Sequence, residues 1–335
     1  MENANRNHEP LVLEVENLQV TLGSGQRTVP AVRRVDLTVH RGEFVALLGE
    51  SGSGKSVTAR AIMGLIDSGT VSADVMKLGD VDLLRATEEE RRLLRGSKMG
   101  LVLQDALSAL NPVLSIGDQI CDLIRAHRKV TKKAAIARAV ELLSLVGIPS
   151  PERRVHEYPH QFSGGMRQRI LIAMAIALEP DLLIADEPTT ALDVTVQAQI
   201  LDLLSSLRDK LGMGVLLITH DLGVVMEVAD RLAVMYSGRI VEGGDADVIL
   251  TNPAHPYTEA LLRSVPQAAA KGSELFAIPG SPPSPAQAPV GCSFNPRCHM
   301  AIEQCRQERP PLELTEGKRV VACFRSEEML HALGK

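Results

Sequence analysis

Aromatic side chains are scarce in this 335-residue chain: tryptophan is absent, and three tyrosines and five phenylalanines make up 2% of the residues. So few rings argue against a surface that stacks nucleobases. A basic field is missing too. The net charge is −5 and the pI about 6.0, which removes the electrostatic footprint of a nucleic-acid binder. No stretch approaches the ~20 apolar residues that a membrane-crossing helix needs. The apolar runs that do occur, such as Val215 to Ile218, have the length of strands. Met1 to Pro10 is polar with no apolar segment behind it, so no signal peptide is expected. Internal repeats are lacking, and so is any C-x2-C pair. What remains is an ordinary hydrophobic content of 45% over a length that suits one large domain and a small one.

The chain is organised around Gly49-Glu50-Ser51-Gly52-Ser53-Gly54-Lys55-Ser56, a G-x-x-x-x-G-K-S pattern. The apolar strand candidate Phe44 to Leu48 precedes it, and Val57 opens a plausible helix after it. Strand, glycine-rich turn and helix form the context of a phosphate cradle. Glycines let successive N–H groups curl inward toward anionic oxygens, and the helix aims its positive end at the same place. Lys55 can reach the β- and γ-phosphates of a nucleotide, and Ser56 can ligate Mg²⁺. The bland alternative is a chance glycine-rich turn, and the flanking elements weigh against it.

Around this stretch the periodicity predicts strands at Leu11 to Val20, Ala31 to Val39, Met99 to Leu103, Asp181 to Ala185 and Val215 to Thr219. Val71 to Leu84 reads as a short strand and loop, and Arg231 to Val241 as a hairpin turning at Ser237-Gly238. Thr87 with Glu90 three residues on predicts a capped helix. Apolar residues recur at helical spacing from Ile116 to Gly147, then from about Gly164 to Leu178, and Val194 to Leu211 reads as a further helix. The alternation predicts an α/β fold with a mostly parallel sheet covered by helices. A proline-rich linker is expected at 265–290, followed by a cysteine cluster at 292–323.

Leu182 to Ala185 ends in Asp186 and Glu187, placing one carboxylate for Mg²⁺ and the next to activate water. Ser163-Gly164-Gly165, opening a helix, makes a second anion site. One nucleotide does not need two unconnected phosphate sites on one chain. The economical reading is a head-to-tail dimer in which Ser163 meets the γ-phosphate held by another subunit.

The phosphate loop, Gln104, Ser163 to Gln168, Asp186-Glu187, Ala191-Leu192-Asp193 and Thr219-His220-Asp221 come in the order found in the ATP-binding subunits of ABC transporters, which the chain resembles over roughly residues 11–245. The resemblance implies a P-loop NTPase cassette: a mostly parallel core, an antiparallel N-terminal β subdomain and a helical insert at about 105–178. It assigns ATP and Mg²⁺ to Gly49–Val57, Mg²⁺ also to Gln104 and Asp186, the general base to Glu187 and the γ-phosphate switch to His220. Ser163, Gly164, Gly165, Gln168 and Asp193 are implied at the nucleotide-bearing interface. Tyr158 to Arg169, Ala185 to Val194, His255-Pro256-Tyr257-Thr258 and Asn295-Pro296-Arg297-Cys298 are similar to the dipeptide/oligopeptide permease group, carrying the resemblance through an extension at 246–335.

The implied function is ATP hydrolysis that energises import of di- or oligopeptides. Nickel, metallophore and glutathione importers share the same ATPase. The implied partners are a second, sister ATPase subunit, two membrane permease subunits and an extracytoplasmic substrate-binding protein, with the chain peripheral on the cytoplasmic face of the membrane. Non-transport ABC ATPases fit less well, since a coiled-coil insert or a second cassette is lacking, and a non-hydrolysing scaffold would not need Glu187 and His220. Two departures from the family pattern stand out. Leu22 occupies the place of an adenine-stacking aromatic, and Ala106 replaces a proline two residues after Gln104, which implies a less rigid loop there.

Cys292, Cys298, Cys305 and Cys323 are spaced C-x5-C-x6-C-x17-C, which is not a zinc-ribbon pattern. Four thiolates can hold zinc or a four-iron cluster, or be simply buried. Resemblance to permease members whose extension carries a cluster favours 4Fe-4S, with zinc as the alternative. Cys121, in a helical pattern, is expected to be an ordinary thiol.

Overall fold

A computed structural model describes residues 9–25, 28–190, 192–265, 276–283, 288–315 and 319–333. Two sheets form the frame. The first is antiparallel, built from β1 (Leu11–Leu22), β2 (Val29–His40), β4 (Gly69–Ser72), β5 (Val75–Leu78) and β6 (Val81–Asp82), after β3 (Phe44–Leu48) has left for the second. The second sheet continues with β7 (Met99–Val102), β8 (Leu182–Asp186), β9 (Gly214–Thr219), β10 (Arg231–Tyr236), β11 (Arg239–Asp245), β12 (Glu313–Thr315) and β13 (Arg319–Val321). Its order is β12-β13-β11-β10-β3-β9-β8-β7. The five strands from β10 to β7 pair in parallel, as the strand–helix alternation predicts.

The central strands are buried on both faces, which explains why they read as unbroken apolar runs. Val45 and Leu47 of β3 pack with Val15, Val20 and Val35 of the antiparallel sheet. Phe44 faces a core shared with the helical insert, including Ile120, Leu142 and Ile170. Ala46 and Leu48 join a third core with Tyr236, Tyr257 and Phe294. The insert holds helices Ile116–His127, Lys132–Leu145 and Gly164–Ala175. The Thr87–Glu90 capping box forms, with the Thr87 N–H donating to Glu90 Oε2 at 2.7 Å. Between β10 and β11, Ser237 and Gly238 both have positive φ, 47° and 81°, as a tight hairpin turn requires.

The extension is not a detached unit. β13 pairs antiparallel with β11, so the extension lengthens the sheet that carries the phosphate loop. Of the predicted linker, residues 266–275 and 284–287 lie outside the described residues, as do Gln26 of the first turn and Ala191. Cys121 is a buried thiol of the insert core.

His255, buried as the N-cap of the helix Pro256–Arg263, accepts the Tyr257 N–H on Nδ1 at 3.0 Å. Burial pulls its imidazole from 6.5 down to about 3. The folded chain holds it neutral, whereas the unfolded chain protonates it below about 6.5. Its contribution to stability is therefore full above that pH and is lost progressively as pH falls toward 3. The expected result is a drop in the thermal midpoint between pH 7.5 and 5.5 that is smaller in His255→Asn. Equal drops would refute this assignment.

Candidate functional site

Parallel strands deliver their C-terminal ends to one edge of the sheet, and there the sequence motifs meet. β3 runs directly into the phosphate loop. Its neighbour β9 ends at Thr219, in register with Leu48, and leads into His220. β8 is next, ending at Asp186 and leading into Glu187. β7 lies beyond and leads into Gln104. Residues some 170 positions apart in sequence thus line one edge because four adjacent strands stop there.

The loop is held closely. A Cβ on Gly49 would sit 2.2 Å from the Met235 carbonyl oxygen, and one on Gly54 2.6 Å from that of Ala31. Gly54 also has φ +110°, so glycine is required there twice over. Lys55 is buried and folds back to donate to the carbonyls of Gly49 (2.6 Å) and Glu50 (3.0 Å). Burial lowers its pKa, opposed by the carboxylates of Glu187, Asp186 and Glu50. The Ser53 hydroxyl is buried and has no hydrogen-bond partner among the described residues. Such an orphan inside a cradle of N–H groups fits a phosphate. The Ser56 hydroxyl donates to Asp186 Oδ1 at 3.0 Å. A hydroxyl and a carboxylate are oxygen donors of the kind a hard divalent cation takes. Burial, with Glu187 adding, raises the Asp186 pKa, and a cation there would reverse that shift.

Glu187 leaves the strand line with φ 49°, its N–H donating to the Ile218 carbonyl at 2.8 Å. Its carboxylate is met from three sides. Gln104 Nε2 donates to Oε2 at 2.8 Å, Thr190 Oγ1 donates to Oε2 at 2.9 Å, and His220 Nδ1 lies 3.1 Å from Oε1. The His220 loop is braced by Asp221, which caps the next helix through Gly223 N–H (2.8 Å) and accepts from Gln197 Nε2 (3.1 Å). Thr190 was given no role from sequence; its place three residues after Glu187 was the one available hint.

Ser163 and Gly164 are exposed, and the Ser163 hydroxyl caps its own helix through Met166 N–H at 3.4 Å. Gly165 lets that helix close on Val196, which a Cβ would meet at 2.6 Å. Asp193 is exposed, caps the helix Val194–Leu211, and accepts Val196 N–H at 3.0 Å. Gln168, expected at the nucleotide-bearing interface, follows on the helix Gly164–Ala175. Its side chain is 3% exposed, with Nε2 buried and unpaired among the described residues, so it turns into the core and does not share the open face of Ser163. Leu22, at the end of β1, packs with the core under the antiparallel sheet.

The four clustered cysteines line one cavity of about 20 Å³ together with Phe294, Met300 and Phe324. Burial first, then neighbouring thiols, push Cys292 up to about 11 and Cys323 up to about 12, and Cys298 upward. Among the described residues no three His, Cys, Asp or Glu side chains stand as a ready metal-ion site. The four-thiol pocket is present, whereas the expected metal site is not formed as the side chains lie.

Comparison with known proteins agrees with this geometry. The family described as "ABC transporter" matches residues 32–190, and "Oligopeptide/dipeptide transporter, C-terminal region" matches residues 241–305. The oligopeptide transport ATP-binding protein AppD of Bacillus subtilis is 48% identical over 319 residues, covering 95% of this chain and 97% of the relative. The dipeptide transport ATP-binding protein DppD of Haemophilus influenzae is 50% identical over 313 residues, covering 93% of this chain and 94% of the relative. Among solved structures, the dimeric bacterial ABC transporter cassette MJ0796 aligns at TM-score 0.62 and 29% identity, over 70% of this chain and 98% of that one. A post-hydrolysis state of the same cassette, bound to ADP and Pi, aligns at TM-score 0.60.

Proposed function

The chain belongs to the family of ABC transporter ATP-binding subunits, and from that premise we propose that it hydrolyses ATP to drive import of di- and oligopeptides. The observation that carries the mechanism is the convergence of Ser56, Asp186, Glu187, Gln104 and His220 beside the phosphate loop. The loop N–H groups and Lys55 bind the β- and γ-phosphates, and Lys55 exchanges its contacts with the Gly49 and Glu50 carbonyls for phosphate oxygens. Ser56 and Asp186 would hold Mg²⁺, which supplies charge neutralisation at those oxygens. Glu187 accepts the proton of the attacking water as its oxygen bonds the γ-phosphorus and the bond to ADP breaks, leaving ADP and phosphate. His220 and Gln104 orient Glu187 and the water.

The exposed Ser163, Gly164 and Asp193 support a head-to-tail pair of cassettes, with the nucleotide closed between one phosphate loop and the other subunit's Ser163. The partner ATPase is a sister subunit, and the pair works on two membrane subunits fed by an extracytoplasmic binding protein. Among the described residues no helix is long and apolar enough to cross a membrane, so membrane association rests on those partners. The names of the relatives support the peptide substrate. In the extension, Cys292, Cys298, Cys305 and Cys323 would hold a 4Fe-4S cluster of structural role. The four thiols gathered on one apolar lining supply the donor set, and the side chains would have to part to admit the cluster.

Lys55→Ala is expected to weaken ATP binding by about 1.5–3 kcal/mol, or roughly 10- to 150-fold, with the fold retained. Normal affinity in that variant, measured by equilibrium titration, would refute the phosphate-loop assignment. Vesicles carrying the complete transporter should take up a labelled dipeptide only with ATP. Nickel uptake without peptide uptake would overturn the substrate class. Anaerobically purified chain should contain about four iron per protein; one zinc, or neither metal with four titratable thiols, would remove the cluster.

A further inference from the structure

Glu50, second residue of the phosphate loop, is gripped by a residue far along the chain. Arg297 makes two parallel bonds to its carboxylate: Nη1 to Oε2 at 2.6 Å and Nη2 to Oε1 at 3.0 Å. The arginine side chain is 4% exposed and the glutamate side chain 26%. Two further donors of Arg297 are also used, Nη1 reaching the Tyr236 hydroxyl at 3.2 Å and Nε the Pro279 carbonyl at 2.8 Å. Its guanidinium lies 5.9 Å from the ring centre of Tyr236 and 5.8 Å from that of Phe294. A second hold acts on the backbone, where the Glu50 N–H donates to the Tyr257 hydroxyl at 3.0 Å. Tyr236, Tyr257 and Phe294 pack on one another with ring centres 4.6–5.3 Å apart. The turn Asn295–Arg297 that presents the arginine is itself fixed, the Cys292 carbonyl accepting from Asn295 N (3.0 Å) and Nδ2 (2.7 Å).

The grip has an electrostatic and a geometric side. The Glu50 carboxylate is close enough to act on Lys55, so left unpaired it would set a negative charge beside a loop that must receive a polyanion. A bidentate arginine cancels that charge and fixes the side chain's direction. The Tyr257 hydroxyl turns the Glu50 N–H toward the extension and away from the cradle formed by the later loop residues. Gly49, with no room for a Cβ against Met235, leaves the loop's entry no freedom to adjust. Neither Arg297 nor Tyr257 approaches the reacting atoms, and both come from the extension.

We propose that Arg297, with the Tyr257 hydroxyl, is a positioning residue for nucleotide binding: the C-terminal extension latches the phosphate loop, through Glu50, in the curvature that receives ATP. This rests on the phosphate-loop reading above. It makes the extension part of the nucleotide site and puts the thiol pocket, one residue from Arg297 at Cys298, in mechanical contact with ATP affinity.

The test is a cycle of Arg297→Met, Glu50→Gln and the double variant in the full-length chain, reading ATP Kd by equilibrium titration, then KM and kcat. Arg297→Met should raise Kd and KM by about tenfold, with kcat changed about twofold or less, because the carboxylate is left unpaired. The double variant should recover the part of that loss due to the unpaired charge but not the part due to the missing latch, leaving Kd above that of the parent. A merely structural arginine would lower the denaturant midpoint and leave the ATP Kd of the folded chain unchanged. An unchanged Kd in Arg297→Met, or strict additivity, overturns the proposal. Should Arg297→Met fail to fold, Tyr257→Phe keeps the ring packing and removes only the acceptor; it should raise Kd several-fold, and an unchanged Kd overturns the latch. Loss of ATP binding in Lys55→Ala upholds the phosphate loop separately, so failure of the latch and failure of the site are distinguishable.

Discussion

Replacing Glu187 by glutamine is expected to lower ATP turnover by about 10²- to 10⁴-fold, the usual worth of a positioned general base, while ATP binding persists. Glutamine has nearly the shape of glutamate, so the Gln104, Thr190 and His220 neighbours lose little packing. What disappears is the carboxylate's ability to take a proton from water. The carboxylate is well placed for that task. Thr190 and Gln104 both donate to Oε2, at 2.9 and 2.8 Å, and His220 approaches Oε1, at 3.1 Å. The side chain is thus held at one angle by partners from three segments, and the backbone φ of 49° sets it off the strand line. Single-turnover hydrolysis alongside nucleotide titration checks the expectation. Equal turnover in Glu187→Gln and the parent would remove Glu187 as the base. A lower rate with equally lowered ATP affinity would mean that the residue binds nucleotide and does not activate water.

Arg319→Met should destabilise the fold by about 3–5 kcal/mol, because it strands a buried carboxylate. Glu242 of β11 is 0% exposed and Arg319 of β13 is 3% exposed, with their charged groups 3.5 Å apart. Glu242 also accepts the N–H groups of Ala254 (2.7 Å) and His255 (3.1 Å), and Arg319 donates to the carbonyls of Asn252 (2.6 Å) and Val248 (3.3 Å). The pair therefore ties the cassette's edge strand, the following loop and the extension into one network. Burial raises the Glu242 pKa, with Arg319 among the groups that oppose it. Denaturant midpoints read the effect. The double variant Arg319→Met/Glu242→Gln should recover part of the loss, since no buried charge is left alone. A shift in Arg319→Met below about 1 kcal/mol would mean that water reaches Glu242 and the pair is dispensable.

The latch and this buried pair were both invisible along the chain. Arg297 and Glu50 are separated by 247 positions, and neither a period nor a spacing connects them. His255-Pro256-Tyr257-Thr258 and Asn295-Pro296-Arg297-Cys298 stood out as marks of the extension but carried no role. Their function lies in contacts with a loop and a strand elsewhere. Gln168 is a related case. It sits in a motif whose first residues are exposed, and only the packing of helix Gly164–Ala175 decides that its amide turns inward. Only the tertiary structure, likewise, shows that β13 of the extension adds to β11 of the cassette sheet.

The parts that needed no tertiary information share a physical cause: their chemistry is local. A glycine-rich turn between a strand and a helix favours an anion cradle, an apolar run of five favours a strand buried on both faces, and Thr87 with Glu90 favours a helix cap. Order and spacing of these pieces carry the resemblance from which the cassette fold follows. Tertiary structure alone decided which side chains meet. Four parallel strands ending on one edge bring Gln104, Glu187, His220 and the loop together. The aromatic cluster carries Arg297 to Glu50, and the thiols, scattered over 292–323, come to line a single cavity. Side-chain contacts across a fold depend on strand order and register, and these follow from the global fit of the cores, which no short segment contains.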